Sequence, residues 1–163
     1  RVLGGPSDGS GTFDVHQHPM TMDTRTLLAA LVGGVVAFLL GWLIFGMLLM
    51  GWMEAHMLSY PGLMKTEEEM NLALMFLSNL SLALLLAWAF GRMGVNSLAG
   101  GLVSGAIVGF LFYLSVDLSF MAMMNLFDGP MAVVVDVAAN TVWTAGTGAA
   151  VGFMLGRGAA RAS

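Results

Sequence analysis

The chain has no cysteine, only four prolines, and charged residues amount to 10% of its 163 positions. Without cysteine there is no disulfide frame, no thiolate metal site and no cysteine nucleophile. Six Lys and Arg against ten Asp and Glu leave a formal charge of −4, so the basic patches of a nucleic-acid binder are missing. No haem-attachment CxxCH, HExxH, P-loop or GxSxG motif occurs. What fills the composition instead is apolar: 58% of the residues are hydrophobic and mean hydropathy is +0.84. A soluble domain is about 45–50% apolar and about 25% charged. A soluble fold of this length would leave roughly 30% of its surface in water. A water-soluble enzyme and a disordered chain are therefore both excluded, and the lipid bilayer is the expected environment and first partner.

Residues 1–25 form a polar arm rich in Gly, Ser, Asp and Pro. Its first 20 residues lack a basic start followed by an apolar run, so it does not read as a secretory signal, and Met20 and Met22 are candidate starts. Four apolar stretches follow, at about 26–53, 70–91, 98–125 and 130–156, each long enough to span about 30 Å of hydrocarbon. Between the first two lies a polar connector with Tyr60-Pro61-Gly62 and the run Glu67-Glu68-Glu69, expected in the first turn of the next helix. Asp128-Gly129-Pro130 marks a tight turn before the fourth stretch. The expected fold is an all-α bundle of four transmembrane helices over 26–157, with a short tail at 158–163. Arg25, Arg92, Arg157 and Arg161 fall on one side and Lys65 alone on the other, so both termini are expected in the cytoplasm. Trp52 and Trp88 lie near opposite helix ends, where interfacial tryptophans belong.

Small residues recur every four positions at Gly101, Gly105 and Gly109 on the third helix and at Gly148, Gly152 and Gly156 on the fourth. Lipid gives helices little hydrophobic reason to associate, so close backbone approach at such stripes holds them together. The two stripes are expected to pack on each other.

Asp117 and Asp136 are the costly residues, because an acid at the bilayer centre costs about 2.5–3.5 kcal/mol on insertion scales. Rising about 1.5 Å per residue from the arginine side, they reach about 28 and 31 Å, similar levels near the outer boundary. Measured from the Asp128 turn they lie one to two turns inside. Height does not set azimuth, so the spacing leaves open whether they face each other. Asn140, Asn125, Glu54 and His56 are the neighbours that would complete an outer-side polar site for a proton or a divalent cation. Asp136, Asn140, Trp143, Thr144 and Thr147 form one polar stripe, with Ser78, Asn79, Ser104 and Ser115 as candidate partners on other helices. His16 and His18 in the arm fall short of a closed four-ligand set. The 15 methionines lack the cysteine or histidine company of a copper site, so no metal and no cofactor is assigned.

Gly41-Trp42, Phe45-Gly46 and Trp52, the glycine-rich run Ala99 to Gly109, Asn125-Leu126-Phe127 and the closing Gly152 to Gly156 carry a resemblance. With these features the stretch from about Thr26 to Gly156 resembles a domain-of-unknown-function family of small bacterial four-helix integral membrane proteins. The resemblance implies that fold and a multi-pass place in the bacterial inner membrane, and no activity. Two functional readings follow. The first is a non-enzymatic membrane protein, free-standing or an accessory subunit beside a membrane-protein partner or a second copy. The second is a small transporter or channel using the outer acids.

Overall fold

A computed structural model describes residues 23–159. The expectations for the arm up to residue 22, including His16 and His18, and for residues 160–163 lie outside the described residues. The described residues form an all-helical fold: α1 is Thr24–Gly41, α2 is Met50–His56, α3 is Leu72–Met93, α4 is Leu98–Met123 and α5 is Pro130–Ala159. A π-helical stretch, Trp42–Leu48, joins α1 to α2. Among the described residues three segments are long and apolar enough to cross a membrane: Thr24–Leu48, Leu72–Met93 and Leu98–Met123. This is a membrane protein built of transmembrane helices.

Local chemistry sets the helix starts. One oxygen of the Asp23 carboxylate accepts from the Thr26 amide at 2.8 Å and from the Thr26 hydroxyl at 2.6 Å. These bonds, the hydroxyl first, hold its carboxyl below the usual Asp range, so the cap stays charged at neutral pH. Asn71 caps α3 through the Leu74 amide at 3.0 Å, and Ser97 caps α4 through the Gly100 amide at 3.1 Å. Gly94 closes α3 at φ 71°, a left-handed position suited to glycine.

Several boundaries differ from the sequence reading. The first span is not one regular helix, because the i→i+5 stretch interrupts it after Gly41. Glu67, Glu68 and Glu69 form a separate 3₁₀ turn before α3, which starts only at Leu72 because Asn71 supplies the cap. There Thr66 donates backbone and hydroxyl bonds to the Glu69 carboxylate at 3.2 and 3.1 Å. The last turn of α4 stops at Met123, where Met124 turns extended, so Asn125 lies in the connection.

α5 packs on α4, α1 and α3, and α1 also packs on α3, whereas α4 leans almost wholly on α5. α1 runs antiparallel to both α3 and α5, and α4 runs antiparallel to α5, so α3 and α5 lie parallel. α1 meets α5 where Gly33 faces Val151 and Gly41 faces Trp143, and it meets α3 where Gly34 faces Leu80. One end of the molecule therefore gathers Arg25, Arg92 and Arg157. Arg92 lies 5.0 Å over the Trp88 ring and Arg157 lies 5.2 Å over Phe153, as expected of cations leaving an apolar slab beside aromatic anchors. The opposite end gathers Glu54, Glu68, Glu69 and Asp128. There the chain after α2 pairs with the α4–α5 connection: Leu58 donates to the Leu126 carbonyl at 2.8 Å and Asp128 to the His56 carbonyl at 3.0 Å.

The α4–α5 contact is backbone on backbone. A Cβ on Gly101 would collide with the Gly148 carbonyl. One on Gly105 would sit 2.5 Å from the Thr144 carbonyl oxygen, and one on Gly152 would sit 2.8 Å from the Gly101 Cα. On Gly156 it would strike the Asn96 carbonyl. Gly101, Gly105, Gly109 and Asp117 are the buried residues of α4. Toward the arginine end, Ala29, Ala30, Leu86, Ala87, Phe90, Val151 and Leu155 close an apolar core among α1, α3 and α5.

Because the obstacle is backbone, a single methyl is already too large. Gly101→Ala and Gly152→Ala are each expected to destabilise the protein by about 1–3 kcal/mol in detergent unfolding. Gly91→Ala on α3, where an added Cβ meets nothing within 4 Å, is expected to be neutral or stabilising. Equal tolerance at all three positions would contradict the packing described.

Candidate functional site

The glycine contact sets the register of everything beyond it. Each four-residue step along α4 is matched by a four-residue step back along α5: Gly101 on Gly152, Gly105 on Gly148, Gly109 on Thr144. The next step brings Tyr113 to the level of Asn140, and the one after brings Asp117 to Asp136. The two carboxyls lie within hydrogen-bonding reach of each other. Each sits six residues from its helix end, Asp117 below Met123 and Asp136 below Pro130. That is about 9 Å inside the acidic end at about 1.5 Å per residue.

Asp117 is only 3% exposed, and its Oδ2 has no hydrogen-bond donor. Asp136 is half-buried and better supplied. The Asn140 amide nitrogen donates to its Oδ2 at 2.9 Å and to its main-chain oxygen at 3.0 Å. Two acceptors on that side of the amide fix which end of Asn140 faces the acid. Below the pair, Thr144 donates to the Asn140 carbonyl at 2.8 Å and Thr147 to the Trp143 carbonyl at 2.9 Å. Both threonines are buried.

Trp143 ties this face to the first span. Its indole N–H donates to the Ala37 carbonyl at 2.7 Å, and its ring stands edge-on to Tyr113 and Phe45, with centroids 6.2 and 6.4 Å apart. Phe45 belongs to the π-helical stretch, so both the end of α1 and the irregular part of the first span meet Trp143 of α5. Single π turns inside α-helices cluster at functional sites.

The remaining expected members are elsewhere. Glu54 is exposed, and Asn125 is exposed in the connection after α4. The His56 ring stacks on Trp52 with centroids 4.2 Å apart, and its Nδ1 lies 2.9 Å from the Trp52 carbonyl oxygen. Among the described residues no three His, Cys, Asp or Glu side chains form a group that could hold a metal ion. Three of the expected cross-helix partners of the polar stripe, Ser78, Asn79 and Ser115, do not take that part. Asn79 donates to Met75, four residues back on its own helix, and Ser115 only accepts, through its main-chain oxygen, from Ser119 of the same helix. Ser78 and Ser115 are exposed. In an apolar setting a hydroxyl or amide satisfies itself most cheaply on the preceding turn.

The glycines at Gly101, Gly105, Gly109, Gly148, Gly152 and Gly156 form the base that positions the acids. Sequence reasoning missed Tyr113. Its signal was present: it continues the four-residue spacing between Gly109 and Asp117. No family model, curated protein or solved structure matches this chain.

The Trp143 indole bond crosses from α5 to α1 and is separable from bonds within a helix. Trp143→Phe leaves the Ala37 carbonyl without its indole donor and is expected to lower stability by about 0.5–1.5 kcal/mol. Ser119→Ala removes only a bond to its own helix and is expected to be neutral. A reversed order in detergent unfolding would contradict the assignment of Trp143 as the pin between α5 and α1.

Proposed function

We propose that this chain is a non-enzymatic, four-span integral membrane protein that handles an ion at the Asp117–Asp136 pair, a small transporter or channel component. One observation carries the reading. Two acids from consecutive helices meet inside the protein, one of them 3% exposed, where an ionised carboxylate is expensive. A merely structural anchor would point its carboxylate to water or to a basic partner, and among the described residues no basic side chain accompanies the pair. Intramembrane acids without such a role are rare.

α5 serves as the fourth span in this reading. Its hydropathy is lowered by Asp136, Asn140, Thr144 and Thr147, but these residues turn toward its neighbours, and it lies antiparallel along α4. The arginine end faces the cytoplasm, following Arg25, Arg92 and Arg157 against Lys65 alone. The acid pair then lies near the outer surface of a bacterial inner membrane. A seam of polar and aromatic groups continues inward to Trp143 and Asn79, and the apolar core near Phe90 and the glycine contact close the cytoplasmic half. The accessory-subunit reading has one observation in its favour. α4 has α5 as almost its sole neighbour and turns Leu102, Val103, Phe110, Leu111 and Phe112 outward, to lipid or a partner helix.

Proteoliposomes carrying an imposed proton or sodium gradient test the function. The wild-type chain is expected to dissipate one of the gradients faster than protein-free vesicles, and Asp136→Asn is expected to lose at least about tenfold of that rate, the effect of about 1.4 kcal/mol on a barrier. Wild-type rates equal to those of empty vesicles for both ions would overturn the reading. In cells, Ser59→Cys in this cysteine-free chain is expected to react with an impermeant maleimide from outside; protection there would reverse the orientation.

A further inference from the structure

The pair's neighbours say what kind of ion it takes. Calcium needs about 6–8 oxygen ligands and magnesium a near-octahedral set. Among the described residues the two carboxyls have no third acidic or imidazole ligand, and the Asn140 amide presents its N–H₂, a donor, to Asp136. A donor in that place repels a metal cation. A proton has the opposite requirement: one acceptor on each side and nothing else.

Two carboxyl groups in hydrogen-bonding reach are both acceptors until one of them carries hydrogen. Asp117 Oδ2 is buried and lacks a donor, and the Asp117 residue as a whole is more than nine-tenths buried. The missing donor is an independent sign that this carboxyl is not held as a fully hydrogen-bonded anion. From this we infer that the ligand of the Asp117–Asp136 pair is a single proton, held by Asp117 and donated as O–H to the Asp136 carboxylate. Asp136 is the suited acceptor because the Asn140 amide already supports its Oδ2 at 2.9 Å. Binding adds one proton to a carboxylate and release returns it. The inference rests on the ion-handling reading above and names its ion.

The surrounding titratable groups are few. Tyr113 lies one turn from Asp117 on α4, within electrostatic reach of both acids. Glu54 and His56 of α2, and Asp128 in the α4–α5 connection, stand at the acidic end. α1 and α3 bring no charge to this level, since Arg25 and Arg92, their only charged residues, lie at the opposite end. Among the described residues no base stands on the arginine side of the pair to take the proton inward, so exchange runs through the acidic end.

Infrared spectroscopy of the full chain in lipid at neutral pH tests this directly. Wild type is expected to show a protonated-carboxyl C=O band that shifts in D₂O, absent from Asp117→Asn, whose amide supplies a fixed donor in the proton's place. No such band in wild type, or a band unchanged in Asp117→Asn, overturns the inference; the wild-type spectrum decides even if the variant does not fold. Calcium, magnesium and sodium added separately are expected to leave the melting temperature unchanged. A cation-dependent rise lost in Asp136→Asn would replace the proton with a metal ion and keep the ion-handling reading. Absence of both the band and any cation effect would remove both.

Discussion

The approach of α4 to α5 is the constraint on which the rest depends. Glycine faces glycine at Gly101–Gly152 and Gly105–Gly148, so close that an added methyl would strike backbone. In lipid, where burying apolar surface drives little association, contact of this kind is the main source of helix adhesion. It also leaves no freedom of register. Sliding α4 by one residue would put side chains where only Cα atoms fit. Once Gly101, Gly105 and Gly109 are seated, Asp117 has no other place than beside Asp136. The costly acids are thus held together by inexpensive residues more than two turns away.

The two halves of the protein divide the work. Toward the arginine end the interior is glycine contact and apolar side chains around Phe90 and Val151. Toward the acidic end it holds Asp117, Asp136, Asn140, Tyr113 and Trp143. Trp143 stands at the border, with its indole on the Ala37 carbonyl and its ring against Phe45 of the π-helical stretch. The bridge between Met57 and Phe127 then ties α2 to the α4–α5 connection at the acidic end.

Much of this arrangement was legible in the sequence, and the rest was not for physical reasons. Uninterrupted apolar runs placed the three spans. Four-residue spacing named the glycines that touch, and the rise per residue put Asp117 and Asp136 at one height. What hydropathy could not supply was azimuth, because α4 is apolar on nearly every face and has no stripe to orient it. The small-residue register would have supplied it: continuing the spacing past Gly109 leads through Tyr113 to Asp117. The interruption after Gly41 was hidden because Trp42–Leu48 is as apolar as the helix before it; only the contact between Phe45 and Trp143 distinguishes that stretch. Glu54, His56 and Asn125 were proposed as neighbours on sequence proximity to the helix ends, whereas Glu54 and Asn125 point to the surface and His56 stacks on Trp52.

The central claim is that the glycine register delivers Asp117 to Asp136. The chain has no cysteine, so pairs can be introduced without background. Asp117→Cys with Asp136→Cys should join within one chain under a short bifunctional thiol crosslinker, because the register places both positions at one level on facing helices. Asp117→Cys with Val134→Cys, whose side chain faces outward, should stay unlinked. Rapid bridging of the first pair alone is the result this account predicts. Bridging of the second pair, or failure of the first in a folded protein, would contradict it.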